Sequence, residues 1–204
     1  GSRGIGFRIA QALVKGGVRT VICGRSAGAL QEAVERLSQS GSEILGKVCD
    51  VGRPEPVEEL IRFSEERLGG LDILINNAGQ VGPSHHFFEL SDEEFQSFLS
   101  TNVMGSYFCA ERAGRLMARQ RSGSIINLCS VVSLRSSRMM VAYTTSKAAL
   151  DGFTRSLAMD LAPLGVRVNG VAPGVVWPPE RFAAATEDEI PSRGWTSYPW
   201  VGSV

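Results

Sequence analysis

Short apolar runs alternate with longer stretches of helical periodicity along the chain. The runs Val18–Cys23, Ile44–Cys49, Leu71–Asn76, Ser124–Cys129 and Arg167–Val171 are predicted strands. They are largely continuous in apolar character rather than alternating, as in a parallel sheet covered on both faces. Between them, Ile5–Lys15, Ala27–Gln39, Pro54–Leu68, Ser91–Gln120 and Val141–Leu161 carry helical spacing. Strand–helix alternation of this length builds right-handed βαβ units. The pattern predicts one α/β domain over residues 1–204 with a doubly wound, mostly parallel sheet. After Pro178 the chain turns rich in Pro, Trp, Ser and Gly, and residues 175–204 read as a lid over a substrate site.

One helix can be read more closely. Ser91-Asp92-Glu93-Glu94 has the form of a capping box, in which Ser91 caps the start and Glu94 reaches back. Phe95, Phe98, Leu99 and Val103 then form an inward stripe. Asn102 falls on that stripe. A buried amide needs hydrogen-bond partners, so Asn102 is either a satisfied core residue or part of a site.

Charge and composition narrow the function. The 21 basic and 21 acidic residues cancel, which gives no pull toward nucleic acid or an anionic membrane. No 18-residue apolar stretch exists, and no membrane span is predicted. Cys23, Cys49, Cys109 and Cys129 have no metal-ligand spacing. They read as buried, reduced thiols of a cytoplasmic protein, with no metal site. The chain opens on a glycine-rich segment rather than a natural start, which reads as a missing beginning and leaves targeting unassigned.

That opening, Gly1-Ser2-Arg3-Gly4-Ile5-Gly6, leads into a helix. Glycines let backbone approach a ligand, and a helix N-terminus offers free N–H groups and a positive dipole. The segment suits a pyrophosphate, or is simply a packed glycine turn. Arg25 follows the strand ending at Cys23. An acid near that edge would hold a ribose diol, whereas a basic residue accommodates a 2′-phosphate. Gly24-Arg25-Ser26 has no acid, and Arg3 could converge on the same phosphate, so the expected cofactor is NADP(H) over NAD(H). Asp50, after the next strand, either accepts from an adenine amino group or caps the following helix.

Tyr143-Thr144-Thr145-Ser146-Lys147 places a phenol and an ammonium one turn apart on a helix face. A neighbouring cation favours a phenolate and makes a phenol a better acid–base group near neutral pH. By itself the pair is commonly a surface feature. The strand Ser124–Cys129, however, delivers Ser130 at its carboxyl edge, where open α/β sheets bind ligands. Ser130 can donate to a carbonyl oxygen. A further strand ends in Asn76-Asn77-Ala78-Gly79, whose small tail lets a cofactor ring lie against backbone.

Taken in order, these motifs resemble the compact, common branch of the short-chain dehydrogenase/reductase family, from Gly1 to about Gly174. The matches are Gly4-Ile5-Gly6, Asp50-Val51, Asn76-Asn77-Ala78-Gly79, Asn102-Val103-Met104-Gly105, Ser130, Tyr143 with Lys147, and Pro173-Gly174; Ser130 stands thirteen residues before Tyr143. The resemblance implies a Rossmann-like fold. Tyr143 would be the general acid in reduction and the base in oxidation. Lys147 would assist loss of the phenol proton and hold the nicotinamide ribose, and Ser130 would polarise the carbonyl. Asn102 would hold a water that links Lys147 to solvent, and Asn76 would keep the central sheet in shape. Ser2, Arg3, Gly4, Ile5, Gly6, Arg25, Asp50, Val51, Asn77, Ala78, Gly79, Pro173, Gly174 and Val176, with Tyr143 and Lys147, would bind the cofactor. The substrate would be a small carbonyl or alcohol, a 3-oxoacyl thioester being the commonest specific role. Family members assemble as homodimers or homotetramers through two long helices, here Ser91–Gln120 and Val141–Leu161. Ala148, Ala149 and Gly152 would permit close approach there, or pack against the sheet.

The chain departs from the family at both ends. The family begins with a strand feeding Thr-Gly and continues past the lid into a helix and a last strand. These are absent, so the chain reads as a fragment of doubtful stability by itself. Where the family has a lid threonine, Trp177-Pro178-Pro179-Glu180 places Pro178, which offers neither hydroxyl nor N–H. That stretch resembles pteridine reductases, in which Trp177 would stack on a flat ring. His85 and His86 either shape the substrate mouth or stand exposed. Arg112, Arg115, Arg119 and Arg121 read as a solvated face, and Trp195, Tyr198 and Trp200 as lid or interface. A catalytically silent dinucleotide-binding module is the alternative to an enzyme.

Overall fold

A computed structural model describes residues 1–39, 41–82 and 85–176. Two compact units divide the chain at Gly174, and Val175–Val204 form the second. In the first, α1 (Gly4–Lys15), β1 (Thr20–Gly24), α2 (Ala27–Ser38), β2 (Ile44–Val48), α3 (Pro54–Leu68) and β3 (Ile73–Asn76) come first. Then follow α4 (Asp92–Leu99), α5 (Gly105–Gln120), β4 (Gly123–Leu128), α6 (Val141–Leu161) and β5 (Val166–Val171).

Local chemistry accounts for several ends. Ser26 accepts the Ala29 amide at the start of α2, and Pro54 opens α3 without sacrificing a hydrogen bond. Gly69 closes α3 in the left-handed conformation that glycine adopts freely. At α4 only half of the expected capping box forms. Ser91 accepts the Glu94 amide at 3.1 Å, while the Glu94 carboxylate pairs with His85 at 3.4 Å instead.

The helix expected over Ser91–Gln120 is interrupted. Ser100–Met104 form a π turn between α4 and α5, and the Gly105 amide bonds back to the Ser100 carbonyl. A π turn inserts an extra residue into the helical repeat, often at functional sites. Here it carries Asn102.

All strand pairs are parallel, as the apolar runs predicted. They form two sheets rather than one, β1-β2 and β3-β4-β5. Between the facing edges of β1 and β3 lies a cavity of about 420 Å³. Its walls include Ile9, Val21, Leu60, Ile61, Leu74 and Cys109. Two cores accompany the two sheets. Phe7, Val14, Leu30, Leu37 and Ile44 close the first; Val57, Leu60, Met117, Ile125 and Val168 lie in the second. On the face of β3-β4-β5 opposite α5 and α6, Ile73 is 40% exposed among the described residues.

Candidate active site

The carboxyl ends of β3 and β4, the π turn and the first two turns of α6 meet at one place. β4 buries Ile125 and Asn127 toward α6, and its end delivers buried Ser130. Ser130 accepts the Val132 amide at 3.4 Å and so caps a short 3₁₀ turn. Its carbonyl accepts the Ser133 hydroxyl at 2.7 Å.

α6 presents Tyr143, Ser146 and Lys147 on adjoining positions. Lys147 is buried, and its ammonium donates to the Leu128 carbonyl at 2.6 Å. That ammonium lies 5.9 Å from the centre of the Tyr143 ring. Burial lowers the Lys147 pKa from its ordinary value, and Cys129 partly opposes this. A lysine so placed can hold a proton more loosely than one in water. The Tyr143 ring is half-buried and meets Phe98 of α4 edge-on, with ring centres 6.5 Å apart.

Asn102 is fully buried. Its Nδ2 donates to the Gln80 carbonyl at 3.0 Å and to Ser146 Oγ at 2.8 Å. Its Oδ1 accepts the Gln80 amide at 2.6 Å. The side chain is thus committed within the protein, as the core reading of a buried amide required. It also sits at the candidate centre: a Cβ built on Gly79 would lie 3.5 Å from both Asn102 Oδ1 and Lys147 Nζ. The β3 tail thus runs beside both groups at Gly79.

The sequence reading assigned no role to four of the supporting residues, Gln80, Ser146, Asn127 and Thr154. Gln80 and Ser146 orient Asn102. Below them, Asn76 Nδ2 donates to Asn127 Oδ1 at 2.8 Å, and Asn127 Nδ2 donates to Thr154 Oγ1 at 2.8 Å. The signal for Asn127 was present: it is an amide inside an otherwise apolar strand. Asn76 also donates to the Ser106 carbonyl at 3.3 Å, joining β3 to α5.

Apart from Tyr143 and Lys147 on α6, the expected cofactor residues of the first unit stand at the start of α1 or just after the carboxyl ends of β1, β2, β3 and β5. Arg3 occupies the N-cap of α1 without a side-chain cap bond, and the first turn has no acid. The orphan N–H groups there are open to an anion. Gly4 is exposed at φ 56°, and a Cβ at that position would meet nothing. A Cβ at Gly6 would collide with the Asn77 side-chain amide, so only glycine allows α1 to approach the β3 tail this closely. Ser2 lies against Gly24, where a Cβ would come within 3.4 Å of its hydroxyl. This brings the Arg3 loop beside the end of β1, next to exposed Arg25. Asp50 accepts the Gly52 amide at 3.1 Å. It closes its own turn rather than capping α3, whose N-cap is Arg53. Val51 is buried and packs against Gly105, and Ala78 is exposed. Val131 donates to the Pro173 carbonyl at 3.2 Å, which fixes the Pro173-Gly174 pair beside the Ser130 turn. Val176 belongs to the second unit. Trp177, Pro178, Trp195, Tyr198 and Trp200 lie outside the described residues.

The β1–β3 cavity does not belong to this centre. Ser130, Tyr143 and Lys147 are absent from its walls, although Gly6, Asn77 and Ala78 line it. Among the described residues no cluster suits a metal ion, and no helix is long and apolar enough to cross a membrane. All four cysteines are free.

Comparison with known proteins identifies the family. Residues 1–189 match the model of the short chain dehydrogenase family. The chain is 37% identical to an L-fucose dehydrogenase of Bos taurus over 193 residues, which is 92% of this chain and 68% of that protein. It is 34% identical to a 3α-hydroxysteroid dehydrogenase of Mediterraneibacter gnavus, covering 86% of this chain and 70% of the relative. An NAD⁺-bound xylitol dehydrogenase superposes with a TM-score of 0.85 at 30% identity, over 90% of this chain and 70% of that one. The chain therefore belongs to the short-chain dehydrogenase/reductase family of NAD(P)-dependent oxidoreductases.

Proposed function

We propose that this protein interconverts a carbonyl and a secondary alcohol with NADP(H), using Tyr143 as the acid–base group. One observation carries the reading: a buried lysine bonded to the end of β4 stands 5.9 Å from the ring of a tyrosine on the same helix face. In reduction the Tyr143 hydroxyl gives its proton to the carbonyl oxygen, and in oxidation the phenolate takes it back. The Lys147 ammonium stabilises the phenolate electrostatically. Ser130 donates a hydrogen bond to the same substrate oxygen. Asn102 acts by position, holding Gln80 and Ser146 around Lys147.

When bound, the nicotinamide supplies or accepts the hydride. The open α1 N-terminus with Ser2, Arg3, Gly4, Ile5 and Gly6 would hold the pyrophosphate. Asp50 and Val51 would flank the adenine, Asn77, Ala78 and Gly79 the nicotinamide half, and Pro173, Gly174 and Val176 its amide. Arg25 and Arg3 favour a 2′-phosphate, since Gly24-Arg25-Ser26 has no acid to hold a free diol. 3-Oxoacyl thioesters are among the carbonyls this chemistry admits.

A homodimer or homotetramer fits the outer face of α6. Ala148 and Ala149 are exposed and Gly152 has open space around it, so a second helix could approach closely. Light scattering in solution tests the assembly. The catalytic reading is tested by Tyr143→Phe, which should abolish turnover while calorimetry still detects NADPH binding. Turnover retained by that variant would overturn it.

A further inference from the structure

One turn before Tyr143, the backbone of Met139 lies in the left-handed region at φ 61°. A side chain with a Cβ occupies that region at a steric cost. Core burial does not hold it there, because Met139 is 44% exposed. A latch does. The His85 amide donates to the Met139 carbonyl at 3.1 Å, and the His85 ring pairs with Glu94 of α4 at 3.4 Å. Backbone strain that surroundings impose on an exposed residue is a recurring mark of functional sites.

The surroundings of Met139 are apolar. Met139, Met140 and Val141 share the wall of a small recess with Tyr143, facing Leu90 and Phe98. Besides Tyr143, the ionisable groups in that wall are His85 and Glu94, which pair with each other. The same two segments expose more than half of the surface of Val81, Phe87, Phe88 and Leu134. Arg135 and Arg138 share a segment with Met139 but do not line the recess. Among the described residues that line this recess, a polyhydroxylated substrate would find few partners, whereas a hydrocarbon body would find surface to cover.

We infer that Met139 is a specificity-determining residue, latched outward to meet the apolar body of a carbonyl or secondary-alcohol substrate. The inference rests on the reading of Tyr143 as the acid–base group.

The test uses methyl ketones from 2-butanone to 2-decanone, with L-fucose and xylitol as polar comparisons. For the native protein, kcat/KM should rise about three- to fourfold per added methylene while the chain still reaches Met139. The polar compounds should be poor substrates. Met139→Gly relieves the strained φ and removes the thioether. It should keep or raise Tm while flattening the chain-length slope; Met139→Leu should retain the slope. Calorimetric Kd values for the matching 2-alkanols, with NADP⁺ present and in Tyr143→Phe, give the same slope without turnover. A steeper response to the polar compounds, or an equal slope in Met139→Gly, would overturn the inference. The two readings fail separately. Turnover in Tyr143→Phe with the slope intact removes the acid–base assignment alone. A flat Kd series beside an inactive Tyr143→Phe removes Met139 alone.

Discussion

The Lys147 ammonium donates to the Leu128 carbonyl at 2.6 Å, tying α6 to the carboxyl end of β4 two residues before Ser130. This bond anchors the first turns of α6, which carry Tyr143, against the end of β4 that delivers Ser130. It also sets a pH signature. Burial lowers the folded-state pKa of Lys147, so the unfolded chain binds the proton more readily in the window between that lowered value and about 10.5. Stability contributed by this group therefore rises with pH across that window. Denaturant melts at pH 7, 8.5 and 10 should show native protein gaining stability relative to Lys147→Met as pH increases. A difference that is flat with pH would contradict a desolvated ammonium.

Asn127 links β3 to α6 through Asn76 and Thr154. It has no exposed surface, so its removal leaves buried polar groups without partners. Asn127→Leu should cost on the order of 2–3 kcal/mol in chemical denaturation. Thr154→Val should cost about 1 kcal/mol, and the double variant less than the sum. Strict additivity would show that the two residues do not share a network.

Cofactor choice turns on the corner where Ser2 meets Gly24. Arg25→Asp should raise the KM for NADPH about tenfold or more, the loss of one charge-assisted contact. The KM for NADH should stay level or fall. Equal effects on both cofactors would refute a 2′-phosphate contact.

The thiols should be inert in the native state. Burial pushes Cys49 up to about 12, and it raises Cys23, Cys109 and Cys129 as well. Thiolate, the reactive form, is therefore scarce at pH 8. A thiol reagent such as DTNB should react slowly with folded protein and rapidly with all four cysteines in denaturant. Because these values are raised on folding, the stability they contribute is present below the ordinary thiol value near 9 and lost as pH climbs beyond it. Rapid native labelling of Cys49 would contradict its burial.

Much of this architecture was legible because it is local. Pro54–Leu68 and Val141–Leu161 have the bounds that periodicity predicted, and the five strands lie within two residues of theirs. The candidate centre was legible as an ordered set of motifs, since chain order maps onto strand ends in a parallel sheet. The π turn was not. Phe95, Phe98, Leu99 and Val103 satisfy an ordinary helical stripe, and the extra residue falls where Asn102 is gripped by Gln80 and Ser146 from other elements. The break between β1-β2 and β3-β4-β5 falls where the resemblance places a strand ahead of the glycine loop. Glu94 shows the same limit: local spacing offered it to Ser91, and the fold gave it to His85.

Within the sheet β3-β4-β5, the middle strand is clasped on both edges, by β3 and by β5. No frayed edge exposes its backbone groups, so the amides of β4 should exchange with deuterium only when the whole unit unfolds.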